Sequence, residues 1–528
     1  MLQKKQTGED AARARLKALL SDRNWRLRNL YKIKDKYGET VQFNPNEVQQ
    51  RFLDRMHNRN IDLKSRQHGF TTLGSLLALD TALFRSGTDC GMVMHQQKEL
   101  EKVFRGKIMF AYERLPDWLK SIPRMQVKRL DMSGEVEFAN GSRISVGLSH
   151  RGGTLQWLWI SEYGPMCAFT PLRADEVKSG ALNTLLPDCL VTIESTAHGR
   201  AGDFYAICTR ARTMANMVGA GTAQLSTLDY KFHFFAWFED PGNTLDPEGV
   251  PLSPDLVAYF QKLEVESGIT LTDGQRAWYA KKAEEQGDKM KREHPSTPDE
   301  AFEAAVEGAY FGKEMTLAEQ QGRICDLPII PGVPVNTFWD IGYGDTTAIW
   351  FHQQVGAYHH FIDFYENSGE QAAHYAKYLI DKGYVFGKHY LPHDGANTDW
   401  SGDGNKTRIQ VVQDLLKGKG TVVLVERIDN KQDAIDMARQ VFNRCRFDRT
   451  RCGETKPGEG RGGLLALAAY QKKWNETTST WHEYPLHNWA SNGADGFMQF
   501  AQGFPINGVN DVSTQSRRRS RDRNWRTS

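Results

Sequence analysis

Ile61-Asp62-Leu63-Lys64-Ser65-Arg66-Gln67-His68-Gly69-Phe70-Thr71-Thr72 is the stretch on which the fold turns. A short strand-like run enters a polar loop with a glycine near its end. Beyond it, Leu73, Leu76, Leu77, Leu83 and Phe84 recur at helical spacing. Strand, glycine-bearing loop and helix is the context a phosphate-binding loop needs, because backbone N–H groups at a helix start point at the anion. The Thr71 hydroxyl would ligate Mg2+. Against the pattern G-x-x-x-x-G-K-[ST], Lys64 replaces the first glycine and Phe70 replaces the lysine. Taken alone, the segment reads better as an ordinary strand, turn and helix.

Three further segments alter that balance. Gln156-Trp157-Leu158-Trp159-Ile160-Ser161-Glu162 is an apolar strand ending in a polar pair, as a Walker B strand does. Glu162 is expected at its C-terminal end, where it would polarise an attacking water. Leu190-Val191-Thr192-Ile193-Glu194 is another buried-type strand, followed by Ser195-Thr196-Ala197-His198-Gly199. The hydroxyls of Ser195 and Thr196 would sense a γ-phosphate and couple hydrolysis to movement. Upstream, Phe43-Asn44-Pro45-Asn46-Glu47-Val48-Gln49 places the Gln49 amide to read adenine. Any one of these is explicable as core strand or turn; the ordered set is not.

The whole chain, at 528 residues, exceeds the roughly 250–300 at which a single core stops growing, so at least two domains are expected. With 40% hydrophobic and 25% charged residues it is a globular composition, which excludes collagen-like and disordered classes. No apolar run approaches the ~20 residues of a membrane helix, and the basic start Met1–Gln6 lacks the apolar core of a secretory signal. The 7 cysteines contain no CxxC pair, which suits buried thiols in a reducing compartment. Net charge is only +2, yet Arg517–Arg523 is a basic run suited to phosphate or an acidic surface. Asp-Arg-Asn-Trp-Arg occurs at both 22–26 and 522–526, too short to be a structural repeat.

The second half changes character. Residues 251–330 read as a helical connector, with capping spacing at Thr272–Gln275 and Thr297–Glu300. Strands follow at Val335–Ile341, Thr347–His352 and Tyr358–Phe364, then a helix near Glu370–Leu379 and a strand delivering Asp394. Asp340 closes the first of these strands, and Asp495 lies on a late helix. Asp345 is a plausible auxiliary acid, or else stabilises the turn after Gly344. Asp363 reads as structural. Lys406 and Arg408 would grip a DNA backbone or simply be solvated.

In combination these segments resemble the large terminase subunits of tailed bacteriophages. Trp25-Arg26-Leu27, Arg66–Thr72, Ile160–Gly164, Ser195–Gly199 and Pro298–Phe302 carry the resemblance. It implies an α/β chain: an N-terminal P-loop (ASCE-type) ATPase domain and a C-terminal RNase H-like nuclease domain. The expected organisation is a helical arm over 1–40, the ATPase over 41–250, the connector over 251–330, the nuclease over 331–505, and a basic tail over 506–528. ATP and Mg2+ would be held by Lys64, Ser65, Arg66, Gln67, His68, Gly69, Phe70, Thr71 and Thr72, with Gln49 and Ser161. Either Lys64 or Arg66 is the phosphate cation, and Arg151 is a candidate arginine finger. The β-β-β-α-β order resembles RNase H-like nucleases, whose acidic stations match Asp340, Asp394 and Asp495, binding two Mg2+ or Mn2+ ions. Implied partners are double-stranded DNA, a portal ring, a small terminase subunit and further copies of the chain, in a host cytoplasm and away from any membrane.

Ser161 departs from the aspartate most P-loop enzymes carry. A lost unit charge ~4 Å from a cation is worth about 4 kcal/mol per ion charge at an effective dielectric near 20. Weaker Mg·ATP binding, or greater reliance on Thr71, is therefore expected. Two other functions compete: a helicase- or restriction-type translocase, and a non-catalytic docking module on a degenerate ATPase fold.

Overall fold

A computed structural model describes residues 13–150, 153–182, 185, 187–200, 202–303, 308–342, 346–393, 407–453, 462–475, 478 and 480–505. The chain divides into two compact units, Met1–Glu307 and Gly308–Ser528.

The first unit is built on an eight-stranded sheet. Its strands run in the order Tyr230–Phe235, Arg59–Lys64, Leu190–Ser195, Trp157–Ser161, Asp89–Val93, Arg143–Gly147, Glu135–Phe138, Val127–Asp131. The first six are parallel and the last two join antiparallel. A parallel sheet is covered on both faces, so its strands are apolar throughout. Trp157–Ser161 is buried at every position: Trp157 and Trp159 face the helix Phe70–Phe84, while Leu158 and Ile160 enter the core on the opposite side. That helix lies so close that a Cβ on Gly74 would stand 2.6 Å from the Trp159 ring. The strand Leu190–Ser195 lies between the loop-bearing and acid-bearing strands, which is the ASCE arrangement.

The helices Pro254–Ser267, Asp273–Gln286 and Pro298–Ala301 begin on Ser253, Thr272 and Thr297 caps. Thr272 and Gln275 make both bonds of a capping box. At Thr297 only half the box forms, because the Glu300 carboxylate turns to Ser296 N–H and the Tyr259 hydroxyl. The stretch expected as a connector is divided by the boundary at 307/308. Its helices as far as Ala301 pack on the first unit, where Trp237 joins Phe260 and Tyr279, and Phe302 meets Phe204 and Tyr205.

The second unit holds a seven-stranded sheet in the order Ile324–Cys325, Cys445–Asp448, Tyr358–Ser368, Thr346–Val355, Val335–Asp340, Phe386–Leu391, Thr421–Leu424. Three antiparallel strands, the helix Ala372–Asp381 and a parallel strand reproduce the β-β-β-α-β order of an RNase H-like domain. Period-two alternation sends Phe338, Trp350 and Phe361 to one core and Trp339, Phe351 and Ile362 to the other. Helices Lys431–Phe442 and Ala490–Gly503 cover the first face, and Ala372–Asp381 and Arg408–Leu415 the second. All seven cysteines are unpaired. No helix among the described residues is long and apolar enough to cross a membrane.

Near the N-terminus, Asp22 caps the helix Arg23–Leu30, which delivers Arg26 to Asp80. Two guanidinium bonds of 2.8 and 2.6 Å and a Tyr31 hydroxyl at 2.9 Å satisfy that buried carboxylate. Removing one partner of a buried pair strands the other, at a cost of about 3–5 kcal/mol. Asp80→Ala should therefore lower the stability of the first unit by that amount in urea titrations, whereas Arg26→Met/Asp80→Leu should lose clearly less.

Candidate functional site

The loop after strand Arg59–Lys64 is held in an unusual backbone. Gln67 and Gly69 both have positive φ, 70° and 72°, and Gly69 caps helix Phe70–Phe84 without a side-chain bond. For Gln67 that left-handed conformation costs roughly 1–2 kcal/mol. Gln49 supports it: its amide donates to the His68 and Gly69 carbonyls at 3.0 and 3.1 Å, and its oxygen accepts from Asn46 N–H. The adenine-reading role expected of Gln49 thus meets an amide already committed to the loop. A Cβ on Gly69 would lie 2.7 Å from the Gln49 nitrogen and displace that side chain from the loop. Phe70 occupies the lysine position and turns into the core against Phe52 and Phe235. His68 is buried and its imidazole is pushed down to about 4, chiefly by desolvation.

Lys64, not Arg66, is the cation inside the site. Its buried ammonium lies 3.0 Å from Glu162 Oε1 and 3.1 Å from Glu194 Oε2. Burial alone would lower Lys64, but the two carboxylates override it and hold the ammonium charged. Arg66 points outward to an ion pair with Glu293. Its N–H donates to the Glu293 carbonyl at 3.0 Å, and Ser65 Oγ lies 3.1 Å from His294 Nδ1.

Glu162 stands where its strand turns into helix Tyr163–Phe169, with φ 55°. Burial would raise its carboxyl, yet Lys64 outweighs burial and keeps it ionised, below the ordinary range. Ser195 joins it: the hydroxyl accepts from Gly164 N–H at 2.9 Å and lies 3.4 Å from Glu162 Oε2. Gly164 is pressed so close that a Cβ would stand 2.4 Å from the Thr196 carbonyl. Thr196 itself is fully buried.

Sequence reading passed over three polar groups here. Glu194 ended a run read as plain core strand, yet its carboxylate accepts from Ser161 Oγ at 2.5 Å and lies 3.5 Å from Thr71 Oγ1. Burial pushes it up, against the pull of Lys64. Lys107, on a π-helical turn over Phe104–Met109, reaches Thr72 Oγ1 at 2.6 Å, its ammonium weakened by burial. Asp62 pairs in register with Glu194 and is fully buried, which drives it strongly toward the neutral acid. A lysine and an ionised glutamate at converging strand ends, beside a helix N-terminus and hydroxyls, suit a bound phosphoanhydride and the hard oxygen chemistry of Mg2+.

In the second unit Asp340 ends its strand, half-buried, and Asp495 projects from helix Ala490–Gly503. The two approach each other: Gly496 faces the backbone nitrogen of Asp340, and both acids act on the buried Tyr470 phenol, which burial and then Asp495 hold well above its ordinary range. Asp495 is raised mainly by burial and is paired with Lys431 at 2.8 Å. Neither Lys431 nor Tyr470 was anticipated from the sequence. Asp363 is a structural partner of Lys382 at 2.5 Å, and Arg408 is buried at a helix start rather than displayed in a loop. Asp394, Asp345, Arg151, Lys406 and the basic tail lie outside the described residues. Among the described residues no group of three or more His, Cys, Asp or Glu side chains gathers to hold a metal.

Replacing Gln49 by Ala removes its two bonds to the loop and the one it accepts from Asn46 N–H, worth about 0.5–1.5 kcal/mol each. Amide hydrogen exchange over residues 65–70 should then accelerate by roughly tenfold while exchange in the second unit is unchanged. Unaltered loop exchange would contradict the supporting role.

No family model and no curated protein matches the sequence. Solved structures with similar folds include the large terminase of a thermophilic bacteriophage in complex with ADP, at 12% identity and TM-score 0.28, covering 85% of this chain and 94% of that one. The large terminase ATPase domain of Thermus phage P74-26 is 15% identical at TM-score 0.30, covering 48% of this chain and 94% of its own. The large terminase nuclease of thermophilic phage G20c, with bound magnesium, is 9% identical at TM-score 0.26, covering 37% of this chain and 97% of its own. Overlaps this loose leave the functional reading to the side chains.

Proposed function

We propose that this chain is the large subunit of a bacteriophage terminase: an ATPase that drives double-stranded DNA into a procapsid, joined to a metal-dependent endonuclease that cuts concatemeric DNA. The observation that carries this reading is the contact of Lys64, the last residue of the strand that enters the glycine-bearing loop, with Glu162, at the end of a strand two places away in the sheet. Lys64 would meet the β- and γ-phosphates, drawing it from the carboxylates it now neutralises. Glu162, ionised, would orient the attacking water, and Ser195, within reach of Glu162, would pass the change to the loop Ser195–Gly199. Bound Mg2+ would offset phosphate charge, with the Thr71 hydroxyl as its protein donor. In the second unit Asp340 and Asp495, with Asp394, would hold the nuclease ions.

The family reading adds a portal ring, a small terminase subunit, several copies of the chain around the portal, and a host cytoplasm as the place of work. A motor indifferent to sequence holds phosphates, so its DNA affinity would fall steeply with salt.

DNA-stimulated ATP hydrolysis tests the first activity: Glu162→Ala should reduce turnover by about 10^2–10^4-fold. Equal turnover in both proteins would favour a docking module on a degenerate ATPase fold. Relaxation of supercoiled plasmid in Mg2+ or Mn2+ tests the second. Asp495→Asn should bring cleavage to background while leaving ATP turnover intact, and undiminished nicking would remove Asp495 from the metal set.

A further inference from the structure

Ser161 leaves the strand end without the carboxylate that P-loop enzymes use beside the magnesium-binding hydroxyl. The geometry points to Glu194 as the residue that supplies it, from the neighbouring strand. This inference rests on the nucleotide-binding reading of the same site.

Ser161 and Glu194 are register partners on adjacent parallel strands, so their side chains leave the same face of the sheet. The serine is short and the glutamate long. The Glu194 carboxylate therefore reaches over Ser161, which donates to Oε1 at 2.5 Å. This oxygen lies 3.5 Å from Thr71 Oγ1, and Ser161 Oγ lies 3.4 Å from it. Thr71 is the hydroxyl placed to bind the ion, so the carboxylate stands where an aspartate at position 161 would act. The other oxygen, Oε2, meets Lys64 at 3.1 Å. An aspartate at 161 would thrust a second carboxylate against Glu194, with one lysine already serving Glu162. Serine at 161 and glutamate at 194 are thus complementary. Glu194 is a positioning residue: it orients Thr71, directly and through Ser161, and brings negative charge to the ion.

The alternative is that Glu194 only neutralises Lys64. The two roles separate when nucleotide affinity is measured with and without metal, using fluorescent ADP analogue titrations in EDTA and in Mg2+, with the Mn2+ paramagnetic resonance signal as a direct readout of the ion. In the wild-type chain Mg2+ should strengthen nucleotide binding. Glu194→Gln should retain binding in EDTA and lose about 10–100-fold of the metal-dependent gain, the usual effect of removing a residue that orients a metal ligand. Ser161→Asp/Glu194→Gln should recover most of that gain, whereas Ser161→Asp alone should add none. This single substitution keeps the idea testable if Glu194→Gln does not fold. An unchanged metal-dependent gain in Glu194→Gln, an equal loss with and without metal, or a clear improvement in Ser161→Asp would each overturn the assignment. A wild-type chain that binds no nucleotide under either condition would instead remove the ATP site on which it stands.

Discussion

A single buried ammonium holds the first unit's candidate site together. Lys64 ends one strand, Glu162 follows a second and Glu194 lies near the end of a third, so their ion pairs tie segments nearly a hundred residues or more apart at the C-terminal ends of three neighbouring strands. Charges are admitted to an interior only when paired. Without Lys64 the two acids would face each other under burial that favours neither ionised form. The same lysine keeps Glu162 ionised, so loop, strand register and electrostatic state are one constraint. Around that lysine, the Gln49 side chain ties down the loop carbonyls, Gly69 takes the positive φ at the helix start, and Gly164 lets its helix approach the backbone of Thr196.

Much of this was legible in the chain. The apolar runs around Trp159 and Ile193 announced buried parallel strands, and Gly69 before a leucine-rich helix announced the loop. The order of strands and helix after Val335 was likewise plain from alternation. What the sequence hid was lateral. Glu194 looked like the polar end of a core strand because nothing local says which strand pairs with which, and its meaning comes from lying opposite Ser161. Lys107 was invisible for another reason: a π-helical turn shifts its side chain off the phase of an ordinary helix. The structural use of Gln49 was hidden because its side chain closes a capping box and a loop at once, a use that spacing cannot distinguish from ligand contact.

The second unit repeats the lesson with opposite charge. Asp340 was singled out at the end of its strand and Asp495 on a late helix. Lys431, which neutralises Asp495, sits on a helix whose inward face is decided only when it packs beside helix Ala490–Gly503. Tyr470, buried nearby, is held neutral by burial and then by both acids.

The bonds from Ser65 and Arg66 to Glu293 and His294 carry a mechanical corollary. These partners belong to a short helical turn far along the chain, bound to the loop by main chain and side chain alike. Any strain that reshapes the loop must therefore be felt there or break those tethers, making the turn before Pro295 a built-in strain gauge for the state of the loop.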